Sequence, residues 1–310
     1  MLTESVNESP YHVVAATSGA DLEACAAINN QVSPHMPITA EQIEHSLISD
    51  PLRRLFLVRV DGTAVGSGYL SPSSVVGALY AMVRVVPEFR GRGIGRALFE
   101  ALSVHGRGLD RQWLWGRVRD DDAESLRIVL AHGFVENGCQ PMVAVDPRHA
   151  PAAGAPPEGV EIVSLASRPE LASAAWEVER EAIQDVPGPQ PLTSTSFDRW
   201  LAENLESPAS LPGGSFVALV DGEVVGHAGL AALLARPHAA ENLFTGVLQA
   251  WRGRGIATAL KQAQIDWART HGYDWIQTEN DEPNLLMRGI NARLGYQPVA
   301  GTILVRGRLS

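Results

Sequence analysis

The chain has 310 residues, 45% of them hydrophobic and 19% charged, with a formal net charge of −10. That length suits two domains with separate cores, and the acidic balance argues against general affinity for nucleic acid. Its two cysteines, Cys25 and Cys139, form no CxxC pair, so neither a disulfide framework nor a metal site is expected, and a reducing cytoplasm is the expected location.

The opening segment, "MLTESVNESPYH", lacks a basic region followed by an apolar core, and no apolar run approaches membrane-spanning length. No export and no membrane partner are expected. Phe56 to Leu70, "FLVRVDGTAVGSGYL", reads as a hairpin with an Asp-Gly turn. The strand "ALYAMVRVV" follows, then the motif "RGRGIG" at Arg90 to Gly95, which opens a helix, "RALFEALSVHG". "QWLWGRV" reads as a strand and "AESLRIVLAHGF" as a helix. The Pro/Ala/Gly stretch at Asp146 to Gly159 has the composition of an extended connector.

Beyond it the same order repeats. "GVEIVSLA" alternates like a strand, Arg168 to Gln184 carries apolar residues at helical spacing, and "FDRWLAENLE" resumes a helix after a loop. Phe216 to Leu230, "FVALVDGEVVGHAGL", matches the first hairpin, and the next strand is expected over Glu241 to Leu248. The second motif, "RGRGIA" at Arg252 to Ala257, lies 162 residues after the first. It opens a helix with Ile256, Leu260, Ala263 and Trp267 on an apolar stripe and Lys261, Gln262, Gln264 and Asp266 among the polar positions. "DWIQTEN", "EPNLLMRGINARL" and "ILVRGRL" read as strand, helix and strand. From motif Arg to closing Gly, Arg90 to Gly133 and Arg252 to Gly295, each copy runs 43 residues. A shared internal length with matching punctuation marks a tandem duplication of a whole domain.

Each motif is a strand-to-helix turn rich in glycine, an arrangement that offers backbone N–H groups to a phosphate. A dinucleotide-binding GxGxxG loop is a poorer match, because Arg96 stands where its third glycine is needed, and no GK[ST] follows. The pattern R-x-x-G-x-G/A, at Arg90, Gly93 and Gly95 and again at Arg252, Gly255 and Ala257, with V-x-P-x-x-R at Val85, Pro87 and Arg90, resembles the acetyl-CoA signature of the GNAT N-acetyltransferase superfamily. The resemblance covers nearly the whole chain, twice. It implies an α/β fold of two tandem GNAT-like domains, each a mixed, largely antiparallel sheet flanked by helices. They are placed at 1–146 and 159–310, with a linker at 147–158. It also implies acetyl-CoA held by Val85, Arg90, Gly91, Arg92, Gly93, Ile94 and Gly95 in the first copy. In the second the corresponding residues are Val247, Arg252, Gly253, Arg254, Gly255, Ile256 and Ala257, together with Asn284 and Asn291.

Family members often carry a Glu eleven residues before the motif that removes a proton from the amine. Glu241 stands there in the second copy and Leu79 in the first. Catalysis is therefore expected in the C-terminal copy, and the N-terminal copy is read as a partner that holds the fold. The Tyr that the family often uses to reprotonate the leaving thiolate is replaced by Val129 and Asn291, which leaves the general acid unassigned. His227, on the second hairpin, is a candidate relay or simply a satisfied polar residue; Asp185, Glu203 and Glu206 lie in or near the segment that usually covers the acceptor. The expected activity is acetyl transfer to a primary amine of a small molecule by direct attack. A non-catalytic acyl-CoA-binding or sensing module, and a protein lysine or N-terminal acetyltransferase, are the alternatives. Monomer and homodimer are both compatible, since a duplication satisfies internally the pairing that single-domain relatives obtain by dimerising.

Overall fold

A computed structural model describes residues 11–152, 154–187 and 192–309. In chain order the elements are β1 (Val13–Ala15), α1 (Gly19–Val32), α2 (Ala40–Ser49), β2 (Arg54–Val60), β3 (Thr63–Pro72), β4 (Ala78–Val85) and α3 (Ile94–Arg107). Then come β5 (Trp113–Arg119), α4 (Ala123–Ala131), β6 (Val135–Val145), β7 (Glu161–Ser164), α5 (Ala172–Ala182), α6 (Phe197–Asn204), β8 (Phe216–Val220) and β9 (Glu223–Ala232). The chain closes with β10 (Ala239–Val247), α7 (Ile256–Thr270), β11 (Trp275–Glu279), α8 (Leu285–Arg293) and β12 (Gln297–Arg308). The α/β class with a largely antiparallel sheet agrees with the sequence reading.

The chain divides into two compact units that do not follow the repeat. The first takes in the chain up to Ser73, Gly77–Leu114 and Arg308 onward; the second takes in Ser74–Val76 and Trp115–Gly307. In the first unit β1, β2, β3 and β4 are neighbours in that order, all antiparallel. Leu55 and Leu57 of β2 pack with Leu22, Ile28 and Ile43 of α1 and α2, whereas Val58 packs with Ile94 and Leu98 of α3. Burial of both faces explains why β2 reads as a nearly continuous apolar run.

The second unit repeats that plan. Val217 and Leu219 of β8 join Ala172, Ala175 and Trp200 of α5 and α6, while Ala218 and Val225 join Ile256 and Leu260 of α7. Both hairpin turns carry positive φ at Asp and Gly, 49° and 79° at Asp61-Gly62, 50° and 84° at Asp221-Gly222, which matches the right-handed twist of their strands.

The strand order in the second unit is β5-β12-β6-β11-β10-β9-β8-β7. β12, from the second repeat, therefore stands between β5 and β6 of the first, and β6 stands between β12 and β11. The last strands of the two repeats are exchanged. β6 was not expected from sequence, because Gly138 and Pro141 interrupt its pattern. Antiparallel pairing on both sides, to β11 and to β12, makes it a strand nonetheless.

Candidate active site

The two motifs form nearly identical loops. Gly93 and Gly255 cap α3 and α7 with φ of 88° and 82°, a conformation that strains any residue with a Cβ. Neither cap supplies a side-chain acceptor, so the first-turn amides of both helices point outward without a side chain to satisfy them. The Arg90 Nε donates to the Val85 carbonyl at 3.2 Å and the Arg252 Nε to the Val247 carbonyl at 2.9 Å. Arg92 lies over Phe89 and Arg254 over Trp251, at 5.0 and 4.5 Å from the ring centres. A Cβ at Gly91, Gly93 or Gly253 would meet no atom within 4 Å. Open amides, a helix N-terminus and vacant space above glycine are what a pyrophosphate requires.

The strands leading into those loops differ. β4 pairs with β3 in unbroken register from Val85–Gly66 to Leu79–Pro72. β10 pairs with β9 from Val247–Gly226 to Phe244–Gly229, then slips, so that Asn242 faces Leu230 and Leu243 is the extra residue of a bulge. A slip of one residue turns every following side chain to the opposite face. Leu79 is buried against α3, close to Gly106. At the equivalent repeat position, Glu241 points away from α7, and its neighbour Asn242 turns toward α7 to meet Lys261 and Gln264.

Glu241 also marks where two central strands part. β10 and β11 run parallel and are paired at Ala239–Trp275, Ala240–Ile276 and Glu241–Gln277. Beyond Gln277 the pairing of β11 continues on its other side, to β6. The carboxylate thus stands at the vertex of the splay. Burial pushes it up to about 7; Glu279 acts in the same direction, while Arg117 and a hydrogen bond from Gln277 pull it back. Trp275 Nε1 donates to Gln277 Oε1 at 3.1 Å, which leaves the Gln277 amide free to face Glu241.

Around Glu241 a polar face spreads over strands of both repeats. Arg117 of β5 pairs with Glu279 and with Gln140 of β6, and Gln140 Nε2 donates to Asp281 at 2.9 Å. Burial raises the Asp281 carboxyl, with Gln140 and Arg117 opposing. Thr302 of β12 lies 3.4 Å from Glu279. None of these neighbours was singled out from sequence. Arg117 and Glu279 lie 162 residues apart, the repeat period, so opposite charges at one repeat position were a readable signal.

The other expected residues are distributed as follows. Asn284 caps α8, accepting from the Met287 amide at 3.3 Å. Asn291 is buried, its Nδ2 donating to Asn280 Oδ1 at 2.6 Å, while its Oδ1 has no hydrogen-bond partner. His227 is 1% exposed, stacked on Phe244 and set edge-on to Trp200, with Glu179 at 3.6 Å. Asp185 pairs with Arg252 at 2.8 Å, and Glu203 with Arg199 at 3.1 Å. On α7, Lys261 and Gln264 are buried, against their placement among the polar positions. Burial pulls the Lys261 amine down to about 7. Among the described residues no group of three or more His, Cys, Asp or Glu is placed to hold a metal ion, and no helix is long and apolar enough to cross a membrane.

Comparison with known proteins adds to this geometry. Residues 51–136 match the model of an acetyltransferase (GNAT) domain, and residues 175–296 match that of the acetyltransferase (GNAT) family. A mycothiol acetyltransferase of Streptomyces griseus subsp. griseus is 33% identical over 249 residues, 78% of this chain and 76% of that protein. A tandem GNAT protein from the clavulanic acid biosynthesis pathway superposes with a TM-score of 0.74 at 21% identity, covering 97% of this chain and 99% of that one. A GCN5-related N-acetyltransferase from Sphaerobacter thermophilus superposes with a TM-score of 0.72 at 21% identity, covering 96% of each chain.

Proposed function

The chain belongs to the acetyltransferase (GNAT) family, and from that premise we propose that it moves an acetyl group from acetyl-CoA to a primary amine of a small molecule, with chemistry in the C-terminal copy. The observation that carries this reading is the bulge that sets Glu241 at the vertex of the β10–β11 splay. Bound acetyl-CoA supplies the thioester. The amides of Gly253 to Ala257 and the N-terminus of α7 hold its pyrophosphate, and the β10 backbone near Val247 takes the arm.

Glu241 does the proton work. An alkylamine is largely protonated at neutral pH, and a carboxylate raised to about 7 is matched to receive its proton. The neutral nitrogen then forms its bond to the acetyl carbon as the carbon–sulfur bond breaks. The second amine proton leaves through Glu241 or solvent, and the thiolate is protonated from water. β10 amides freed by the splay offer hydrogen bonds to the acetyl oxygen as charge develops on it. Glu279 and Asp281, with Arg117 between them, favour an acceptor that is cationic and carries hydroxyl donors.

The N-terminal copy keeps the loop but lacks the base. Leu79 replaces Glu241, and Arg84 stands where β10 has Gly246, its Nε donating to Ser33 at 3.1 Å. A role in holding acetyl-CoA without transferring from it fits this copy. The test is turnover across an amine panel that includes the deacetylated form of mycothiol, for the natural chain and for Glu241→Gln. The expected result is a loss of about a hundredfold or more with acetyl-CoA affinity kept. Equal turnover in the two proteins removes Glu241 from the reaction.

A further inference from the structure

β10 bulges and β4 does not, although the repeats align without a gap through both strands. A bulge withdraws backbone groups from the ladder, and something must satisfy them. In β10 that partner is a side chain. Asn242 Nδ2 lies 3.1 Å from the Phe244 carbonyl and 3.1 Å from the Gly229 carbonyl, one on each side of the irregularity. It also lies 3.2 Å from Thr245 Oγ1 and 2.9 Å from Gln264 Oε1, so its two hydrogens are shared among four acceptors.

An amide can flip, and only one orientation serves the bulge. The Lys261 Nζ, 1% exposed, donates to Asn242 Oδ1 at 2.7 Å. An amine at this site has hydrogens to give, so it selects the orientation that turns Nδ2 toward the bulge carbonyls. Thr278 Oγ1, 3.3 Å from the same Oδ1, adds a second donor. The other neighbours of Lys261 include the ring of Tyr296 at 5.2 Å. In the first repeat the equivalents of Asn242, Lys261, Gln264, Thr278 and Tyr296 are Tyr80, Phe99, Leu102, Gly116 and Phe134. The buried polar set and the bulge occur together in one copy and are absent together from the other.

We propose that Lys261 and Asn242 form a latch that fixes the β10 bulge, making Lys261 a positioning residue that holds Glu241 on the cleft face from the opposite side of the sheet. The inference rests on Glu241 being the base, and it adds a residue that never touches substrate. Lys261→Met keeps the length of the side chain and removes its donor. The variant should lose about a hundredfold in kcat while acetyl-CoA affinity stays within about twofold, as expected when a reacting group is displaced by a remote change. Amide hydrogen exchange over residues 242–245 should quicken in the intact protein, with or without acetyl-CoA.

If Lys261→Met does not fold, Asn242→Asp serves, since it keeps an acceptor for Lys261 and removes the donor to the two bulge carbonyls. The same losses are expected there. Turnover within about twofold of the natural chain in a folded variant overturns the latch, as does a fall in kcat with exchange over 242–245 unchanged. If the natural chain acetylates no amine, the proposed function fails, and the exchange comparison alone still decides whether Lys261 holds the bulge.

Discussion

β4 and β10 occupy the same place in the repeat and lead into loops that superimpose residue for residue in their contacts. Arg90 and Arg252 reach back to the same strand carbonyl, and the glycine caps share one backbone conformation. Between those strands the single large difference is a register slip. It turns one position from the helix side of the sheet, where Leu79 packs, to the open side, where Glu241 stands. Duplication therefore preserved the anion-holding turn and let the strand beside it diverge. In this protein, competence to hold a phosphate and competence to move a proton reside in separable pieces of backbone.

The comparison is broken most directly by exchanging its ends. Glu241→Gln should lower turnover by about a hundredfold or more, whereas Arg84→Met in β4 should leave it within about twofold. A loss with Arg84→Met would mean that the first copy takes part in the chemistry. Next in size, Gly255→Asp should abolish turnover, because it adds backbone strain and a negative charge where the pyrophosphate is held. Gly93→Asp should spare turnover, and calorimetric titration of both variants with acetyl-CoA then reads which loop is occupied.

Stability against pH sharpens the contrast further. The Glu241 carboxyl is raised from 4.5 to about 7, so across that window the folded chain keeps a proton that the unfolded chain has released, and stability falls as pH rises. The Lys261 amine is lowered from 10.5 to about 7, so between those values the unfolded chain holds the extra proton and stability climbs with pH. Urea midpoints measured from pH 5 to 10 should show both slopes; Glu241→Gln should flatten the first and Lys261→Met the second. The smallest effect is expected from Asp185→Ala. Its pair with Arg252 is half-exposed, so stability should change by less than about 1 kcal/mol, with less effect still at high salt.

Much of this was legible in the sequence. The loops, the hairpins with their Asp-Gly turns and the helix after each motif carry local signals that tertiary packing did not override. Glu241 was found by counting back from the motif. The bulge was not visible, because it involves no insertion: β4 and β10 have equal lengths from end to motif, and the slip lies in how β10 meets β9. Lys261 read as a surface residue, since a lysine on an amphipathic helix usually is one, and only the buried Asn242 carbonyl explains its inward turn. The polar face was hidden for a different reason. Arg117 and Gln140 come from the first repeat and Glu279 and Asp281 from the second, and repeats read separately cannot reveal that they meet.

The exchange of final strands has a consequence for the order in which the chain can be made. β6 is synthesised with Val135–Val145 and must pair with β11 and β12, which emerge well over a hundred residues later. Until then it is a bare edge with unpaired amides and carbonyls, open to the wrong neighbour during synthesis. β5 waits as long for β12 to fill the place beside it. The repeats were born as one domain copied, yet the sheet of the second unit closes only when the last strand arrives, so its folding is governed by the most distant contacts in the chain and should be slow.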